Sequence, residues 1–318
     1  MVVRIIKDWN APDIFRQIPN GGKIWDQVEF TTDEIRECDY LVVLNTTNKE
    51  VIIKCRKNGK FLLTQEPPIP RYEWHKKLFK YVDEVFTSWD IKDTKIINSH
   101  GCLPWHINKT FDELNKLEPN HGFIKQDKIS WITSNLRLNK GHILRMDFKD
   151  KIEGHLDFDL FGRGFKEIDD KFDVIYPYKY SFAIENSCYD DYWTEKIADC
   201  FLSWTVPIYY GCNNISKYFP KNSMIQIDPN HPEEAVKIIQ KAIDENFWEK
   251  NLDSLKEARD LVLNKYQLFP FIANKLKTTN HQQKVWSYLP KNVADGPIDE
   301  TMVFKKQTKM KIKNILNV

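Results

Sequence analysis

Residues 180–211 read YSFAIENSCYDDYWTEKIADCFLSWTVPIYYG, and the order of elements in that stretch decides the fold. Residues 180–184 are a short apolar run of β-forming residues, which predicts a buried strand. Glu185, Asn186 and Ser187 end it, and a polar loop continues to Asp191. Thr194 is a good N-cap, with Glu195 placing a carboxylate in the first helical turn. Ile197, Phe201 and Trp204 recur at helical spacing, and residues 206–210 form a second apolar run closed by Gly211. Strand, loop, capped helix and strand make a βαβ unit. The N-terminus of such a helix favours anions, because its unpaired amides and dipole point at the end of the sheet. Lys196 beside Glu195 can hold both the phosphate and the ribose of a nucleotide.

Outward from that unit the chain keeps alternating. Strands are expected at 2–6, 25–30, 40–44, 60–64 and 82–87, with helices at 12–17, 32–37 and 72–81. A polar connector over 108–127 follows. Further strands are expected at 128–133, 154–161, 180–184, 206–210 and 223–227, with helices at 142–151, 194–204, 232–246 and 252–265. Strands alternating with helices imply parallel sheets in both halves. The expected division is an α/β domain over 1–125, a Rossmann-like domain over 126–290, and a basic tail over 291–318. From Phe304 that tail reads FKKQTKMKIKNILNV, five lysines and no acid, which suits weak peripheral attraction to anionic lipid.

Composition narrows the function. The chain has 318 residues with 42% hydrophobic and 13% aromatic content, enough for two packed domains. Forty-seven basic against 45 acidic residues leave a net charge of +2, which gives no footprint for nucleic acid. Six cysteines lack CxxC or metal-ligand spacing, and the eight histidines form no HxH or HExxH pattern. Free thiols, no spanning segment and no signal-peptide core lead to the expectation of a cytoplasmic protein, peripheral to the inner face of a membrane through its tail.

The ordered set Phe182, Glu185, Asn186, Ser187, Tyr192, Thr194, Glu195, Lys196, Val206, Pro207, Ile208 and Gly211 resembles the donor-binding signature of the α-1,3-fucosyltransferases, glycosyltransferase family 10. The resemblance weakens N-terminally through Trp131 to Phe61. It implies the GT-B architecture, two Rossmann-like domains with parallel sheets facing across a cleft. It also implies an inverting transferase that moves fucose from GDP-fucose to a hydroxyl of a glycan, with no tightly bound cofactor and no required divalent metal. Glu185, Asn186, Tyr192, Glu195 and Lys196 would bind the donor, with Glu195 on the ribose and Lys196 on the diphosphate. A family strand ending in Ser-Asn, here Trp131 to Asn135, precedes a helix whose arginine reaches the diphosphate. Arg145 is the candidate and Arg137 the competitor; a guanidinium suits the role through its charged bidentate fork. By position in the architecture the general base would be Glu66, in Thr64-Gln65-Glu66-Pro67-Pro68, although proline directly after the acid departs from the family setting. Two alternatives stay open: the same fold using another nucleotide sugar, and a non-catalytic sugar-nucleotide or glycan-binding protein.

Asp157-Phe158-Asp159 is a literal Asp-x-Asp, and alternate strand residues share a face. Such a pair can hold a divalent metal, but exposed strand acids are common and the following Gly162 and Gly164 read as a turn. Of the ten tryptophans, Trp131 and Trp204 are expected in the core, while Trp193 would wall the donor pocket.

Overall fold

The computed structural model describes residues 1–120, 122, 124–279, 283–294 and 296–316. The chain divides into two compact units, one formed by residues 1–102 with 269–318 and the other by 103–268.

In the first unit the strands are β1 (Val2–Ile6), β2 (Ile24–Trp25), β3 (Val28–Thr31), β4 (Tyr40–Leu44), β5 (Val51–Arg56), β6 (Lys60–Leu63), β7 (Glu84–Thr87) and β8 (Ile96–Asn98). Seven of them make one sheet in the order β2-β3-β1-β4-β6-β7-β8, parallel except for the short β2. Every residue of β4 is buried, which explains why it reads as a continuous apolar run instead of an alternating one. The helix expected at 32–37 does not form. Thr31 Oγ1 instead donates to Asp33 and accepts that residue's N–H, and Glu37 bridges to Lys54. An acid two residues after a threonine offers the backbone a turn that competes with helix. The helix expected at 72–81 is a run of 3-10 turns over Pro70–Tyr81.

The second unit contains β9 (Gln126–Ile132), β10 (Phe158–Phe161), β11 (Tyr178–Ile184), β12 (Val206–Tyr210) and β13 (Ile225–Gln226), all parallel in the order β10-β9-β11-β12-β13. Its helices are α1 (Phe111–Lys116), α2 (Lys140–Ile152), α3 (Phe172–Ile175), α4 (Glu195–Leu202), α5 (Pro232–Asp244), α6 (Phe247–Lys250) and α7 (Leu252–Leu261), the last running into a π turn at Val262–Tyr266. Trp131, Phe148, Phe158 and Phe182 stack between sheet and helix with centroids 4.7–6.2 Å apart. Ser130 and Ser181 settle each other's hydroxyls inside that core at 2.9 Å. Lys125, wholly buried, donates to the carbonyls of Tyr176, Tyr178 and Ser203 and to Thr205 Oγ1.

Both expected domain boundaries move. The first falls at Cys102, not at 125, because Trp105, Ile107, Phe111 and Leu114 are buried within the second unit. The second falls at Leu268, not at 290. There α8 (Leu268–Lys277) returns to the first sheet, where Phe269 packs on Phe15 and Phe30, and Lys275 pairs with Glu84 at 2.6 Å. Next, β14 (Lys284–Leu289) pairs antiparallel with β5 along six residue pairs. The expected tail is then helix α9 (Glu300–Leu316), which buries Val303 and Met310 in the cluster formed by Val51, Ile53, Tyr81 and Leu289; the last two tail residues lie outside the described residues.

Candidate functional site

In an open α/β sheet the crevice outside the carboxyl ends of the strands opens where successive connections go to opposite sides. In the second unit that place is between β9 and β11, since β10 lies on one side of β9 and β12 on the far side of β11. The signature loop, 185–194, leaves the carboxyl end of β11 there, and α2 follows the carboxyl end of β9.

The two elements meet at a glycine. A Cβ on Gly141, in the first turn of α2, would lie 2.2 Å from the Asn186 carbonyl oxygen. Only glycine permits that approach. One turn further, Arg145 is buried and donates through Nη1 to Asn186 Oδ1. Burial lowers its pKa from the ordinary arginine value, opposed by the negative charge of Glu185. Arg137, the competing arginine, is half-exposed and pairs with Asp147 at 2.5 Å and Asp150 at 2.9 Å. Arg145 is thus tied to the signature loop, whereas Arg137 is tied to acids of α2.

Glu185 is wholly buried and does not present itself to a ligand. It accepts the Thr194 N–H at 2.8 Å and its hydroxyl at 2.9 Å, and pairs with Lys196 Nζ at 3.2 Å. Burial raises its pKa, and the Lys196 charge opposes that rise. Thr194 is the N-cap of α4, as its sequence position predicts, and accepts the Lys196 N–H at 3.3 Å. Glu185 is thus the foundation under the helix start, while Lys196 is left part-exposed with a pKa raised, against the cost of burial, by Glu185 and Glu195. Burial alone would raise Glu195, yet Lys196, Lys171 and His106 together hold it below the usual carboxylate range.

Three members of this network carry no motif signal. Lys171 Nζ lies 3.5 Å from Glu195 and 3.4 Å from Asp199, and His106 Nδ1 lies 3.7 Å from Glu195. Asp199 sits one turn along α4 from Glu195, an i,i+4 spacing readable in sequence; Lys171 and His106 come from distant loops. The loop itself is braced. Asp191 accepts from Lys217 at 2.7 Å, from Asn214 at 3.2 Å and from the Tyr218 hydroxyl. Tyr192 is buried near Arg145. Trp193, expected as a pocket wall, is instead core, its ring 5.1–5.9 Å from those of Tyr218, Phe219 and Tyr266.

In the first unit Glu66 follows β6 and is half-buried. Its neighbour Gln65 is fixed on every side: its N–H donates to Asn45 Oδ1 at 2.7 Å, and its side chain accepts from Trp9 Nε1 at 2.9 Å and donates to the Gly101 carbonyl at 3.2 Å. Glu66 raises the Tyr72 hydroxyl by charge and hydrogen bond, after the larger effect of burial. Asp157 and Asp159 lie at the amino end of edge strand β10, the opposite end from the crevice, and Lys128 pairs with both at 3.2 and 3.3 Å. That one lysine offsets part of their charge.

Comparison with known proteins follows the same geography. Residues 123–250 match the family model described as glycosyltransferase family 10 (fucosyltransferase), C-terminal. Among curated proteins, the 4-galactosyl-N-acetylglucosaminide 3-alpha-L-fucosyltransferase FUT6 of Pongo pygmaeus is 27% identical over 165 residues, 50% of this chain and 43% of that protein. The GDP-fucose protein O-fucosyltransferase 3 of Danio rerio is 38% identical over 81 residues, 25% of this chain and 18% of that one. The chain thus spans less than half the length of these relatives. A crystal structure of an alpha1,3-fucosyltransferase with GDP-fucose superposes with a TM-score of 0.51 at 16% identity, over 89% of this chain and 92% of that one. This likeness shows the fold, that of the GT-B class. The matched stretch covers the crevice, α2, α4 and the signature loop, so over residues 123–250 the chain is similar to the C-terminal domain of glycosyltransferase family 10 (fucosyltransferase).

Proposed function

We propose that the chain is an inverting fucosyltransferase that moves fucose from GDP-fucose to a hydroxyl of a glycan, in α-1,3 linkage. The observation that carries this reading is the pair of cations, Arg145 and Lys196, set with Asn186 and Glu195 at the β9–β11 crevice of the family domain. Fixed cations and the amides of the α4 start would neutralise charge growing on the departing diphosphate. Glu195 would accept from the ribose hydroxyls, and Glu66 would take the acceptor proton as its oxygen attacks from the face opposite the leaving group. Protein cations then stand where other transferases use a metal, so turnover is expected to persist in EDTA.

The glycan acceptor follows the FUT6 relative, whose name gives a 4-galactosyl-N-acetylglucosaminide; the Danio rerio relative is named as a protein O-fucosyltransferase. We also infer a cytoplasmic location, supported by six free cysteines, and weak membrane attraction through α9, where Phe304, Ile312, Ile315 and Leu316 are exposed among lysines. No helix among the described residues is long and apolar enough to cross a membrane. The test of the main reading is a thermal-shift series. GDP and GDP-fucose should raise Tm by mass action, and UDP- and CMP-sugars should not. The reverse pattern would move the chain to another nucleotide sugar. Binding of GDP-fucose without transfer to any acceptor or to water would leave a sugar-nucleotide-binding protein.

A further inference from the structure

Glu195 faces a second lysine besides its neighbour Lys196, and each approaches the same oxygen. Lys196 Nζ at 3.5 Å, Lys171 Nζ at 3.5 Å and His106 Nδ1 at 3.7 Å all approach Oε1. Lys171 is held in turn by Asp199 Oδ2 at 3.4 Å, and Asp199 is only 1% exposed. The other oxygen of Asp199 accepts the N–H groups of His106 at 2.8 Å and Ile107 at 3.4 Å. Asp170 Oδ1 ties the same stretch to the turn that bears Lys171, accepting from Asn108 and Phe172 at 2.9 Å each.

This arrangement has a physical use. Lys196 is shared between Glu185 at 3.2 Å and Glu195 at 3.5 Å. A diphosphate, carrying more charge than either carboxylate, would draw Lys196 toward itself. Glu195 would then lose one of its restraints at the moment it has to accept hydrogen bonds from a ribose. Lys171 is braced from behind by a buried acid, so its hold on Oε1 does not depend on where Lys196 turns.

We propose that Lys171, anchored by Asp199, is a positioning residue that holds Glu195 through Oε1 and leaves Oε2 to accept from the vicinal diol of a nucleoside diphosphate. The inference rests on the reading of this crevice as a nucleotide site. The experiment is calorimetric titration of the full chain with GDP and with 2′,3′-dideoxy-GDP, which keeps the diphosphate and base but lacks the diol. Hydrogen bonds to a charged acceptor are strong enough that the wild type should prefer GDP by about tenfold or more. Lys171→Met should abolish most of that preference while binding of the dideoxy nucleotide changes by no more than about twofold, and Lys171→Arg should retain it. Asp199→Asn, which keeps an acceptor for the His106 N–H and withdraws charge from Lys171, should erode the preference as well, and it decides the matter if Lys171→Met does not fold. Equal weakening of both nucleotides by these variants, with the preference intact, overturns the proposal, as does no change at all. GDP binding without any preference over the dideoxy form overturns it while leaving the nucleotide site standing. Failure of the wild type to bind either nucleotide sinks the donor reading itself, and this inference with it.

Discussion

Lys196 touches Glu185 and Glu195 at 3.2 and 3.5 Å, and the two carboxylates differ in what remains to them without it. Glu195 would keep Lys171 at 3.5 Å, whereas wholly buried Glu185 would keep the Thr194 hydrogen bonds and the more distant charge of Arg145. Breaking a buried pair from one side costs about 3–5 kcal/mol, so Lys196→Met should lose stability on that scale at neutral pH as well as GDP binding. The sign of its pH dependence follows from Glu185. Burial already raises that carboxyl, and removing Lys196 raises it further. A folded pKa above the unfolded value, about 4.3, gives stability that is full below that value and lost as pH rises through the folded pKa. The deficit of Lys196→Met relative to wild type should therefore shrink on acidification from pH 8 toward pH 4, as read by urea unfolding. A constant or growing deficit would show that Glu185 is not the group left exposed to the loss. Glu66→Gln tests the chemistry separately. It cannot take a proton, so turnover should drop by about 100- to 10,000-fold while GDP affinity holds. Near-native turnover would move the base to Glu29, Asp13 or Glu73 of the same unit.

At the scale of elements, the β9–β11 crevice depends on the contact between the start of α2 and the loop after β11. Gly141→Ala would press a methyl against the Asn186 carbonyl, 2.2 Å away, and something must shift. The expected result is a loss of GDP affinity of tenfold or more, about 1.4 kcal/mol or above, because Asn186 is the partner of Arg145. Unchanged affinity would mean that Asn186 relaxes without moving Arg145. Gly141 was within reach of a sequence reading only as the residue before His142; nothing local says what it approaches. The elements themselves were legible where the signal is local. Apolar runs at 128–133, 180–184 and 206–210 and the Thr194 cap correspond to β9, β11, β12 and α4. Strand β5 was missed although its residues alternate buried with exposed or half-buried, because its partner β14 lies more than two hundred residues later. The same distance hid the burial of Val303 and Met310, whose helical spacing in a lysine-rich segment reads as a solvated tail. Arg145 was distinguishable from Arg137 only once Asp147 and Asp150 were seen to occupy the latter.

For the whole molecule, the return of the chain to its first unit carries the clearest expectation. Removing residues 300–318 would strip Val303 and Met310 from their cluster, and with them the Glu300 contacts to Lys80 at 2.5 Å and to the Tyr81 hydroxyl at 3.0 Å. Trp286 would lose its two hydrogen bonds to Asn314, at 2.5 and 3.0 Å. Losing two buried apolar side chains costs several kcal/mol by the area they cover. Hydrogen exchange should therefore accelerate in β5, β14 and 70–81, while 126–210 keeps its protection and GDP binding survives. Uniform acceleration across both units would mean that they unfold as one.

The division at residues 102 and 268 also bears on how the protein is made. Chains emerge from the ribosome amino end first, and domains usually complete themselves in that order as they emerge. Here the order is inverted. The segment 103–268 has all its described strands once β13 and its covering helices are synthesised, whereas the unit of residues 1–102 waits for α8, β14 and α9, which are translated later. Throughout that interval β5 lacks its antiparallel partner and Val51, Ile53 and Leu62 lack part of their cover. A nascent chain stalled near residue 280 would thus carry a complete 103–268 unit and an amino-terminal unit with an open, adhesive edge, the kind of surface that recruits chaperones during translation.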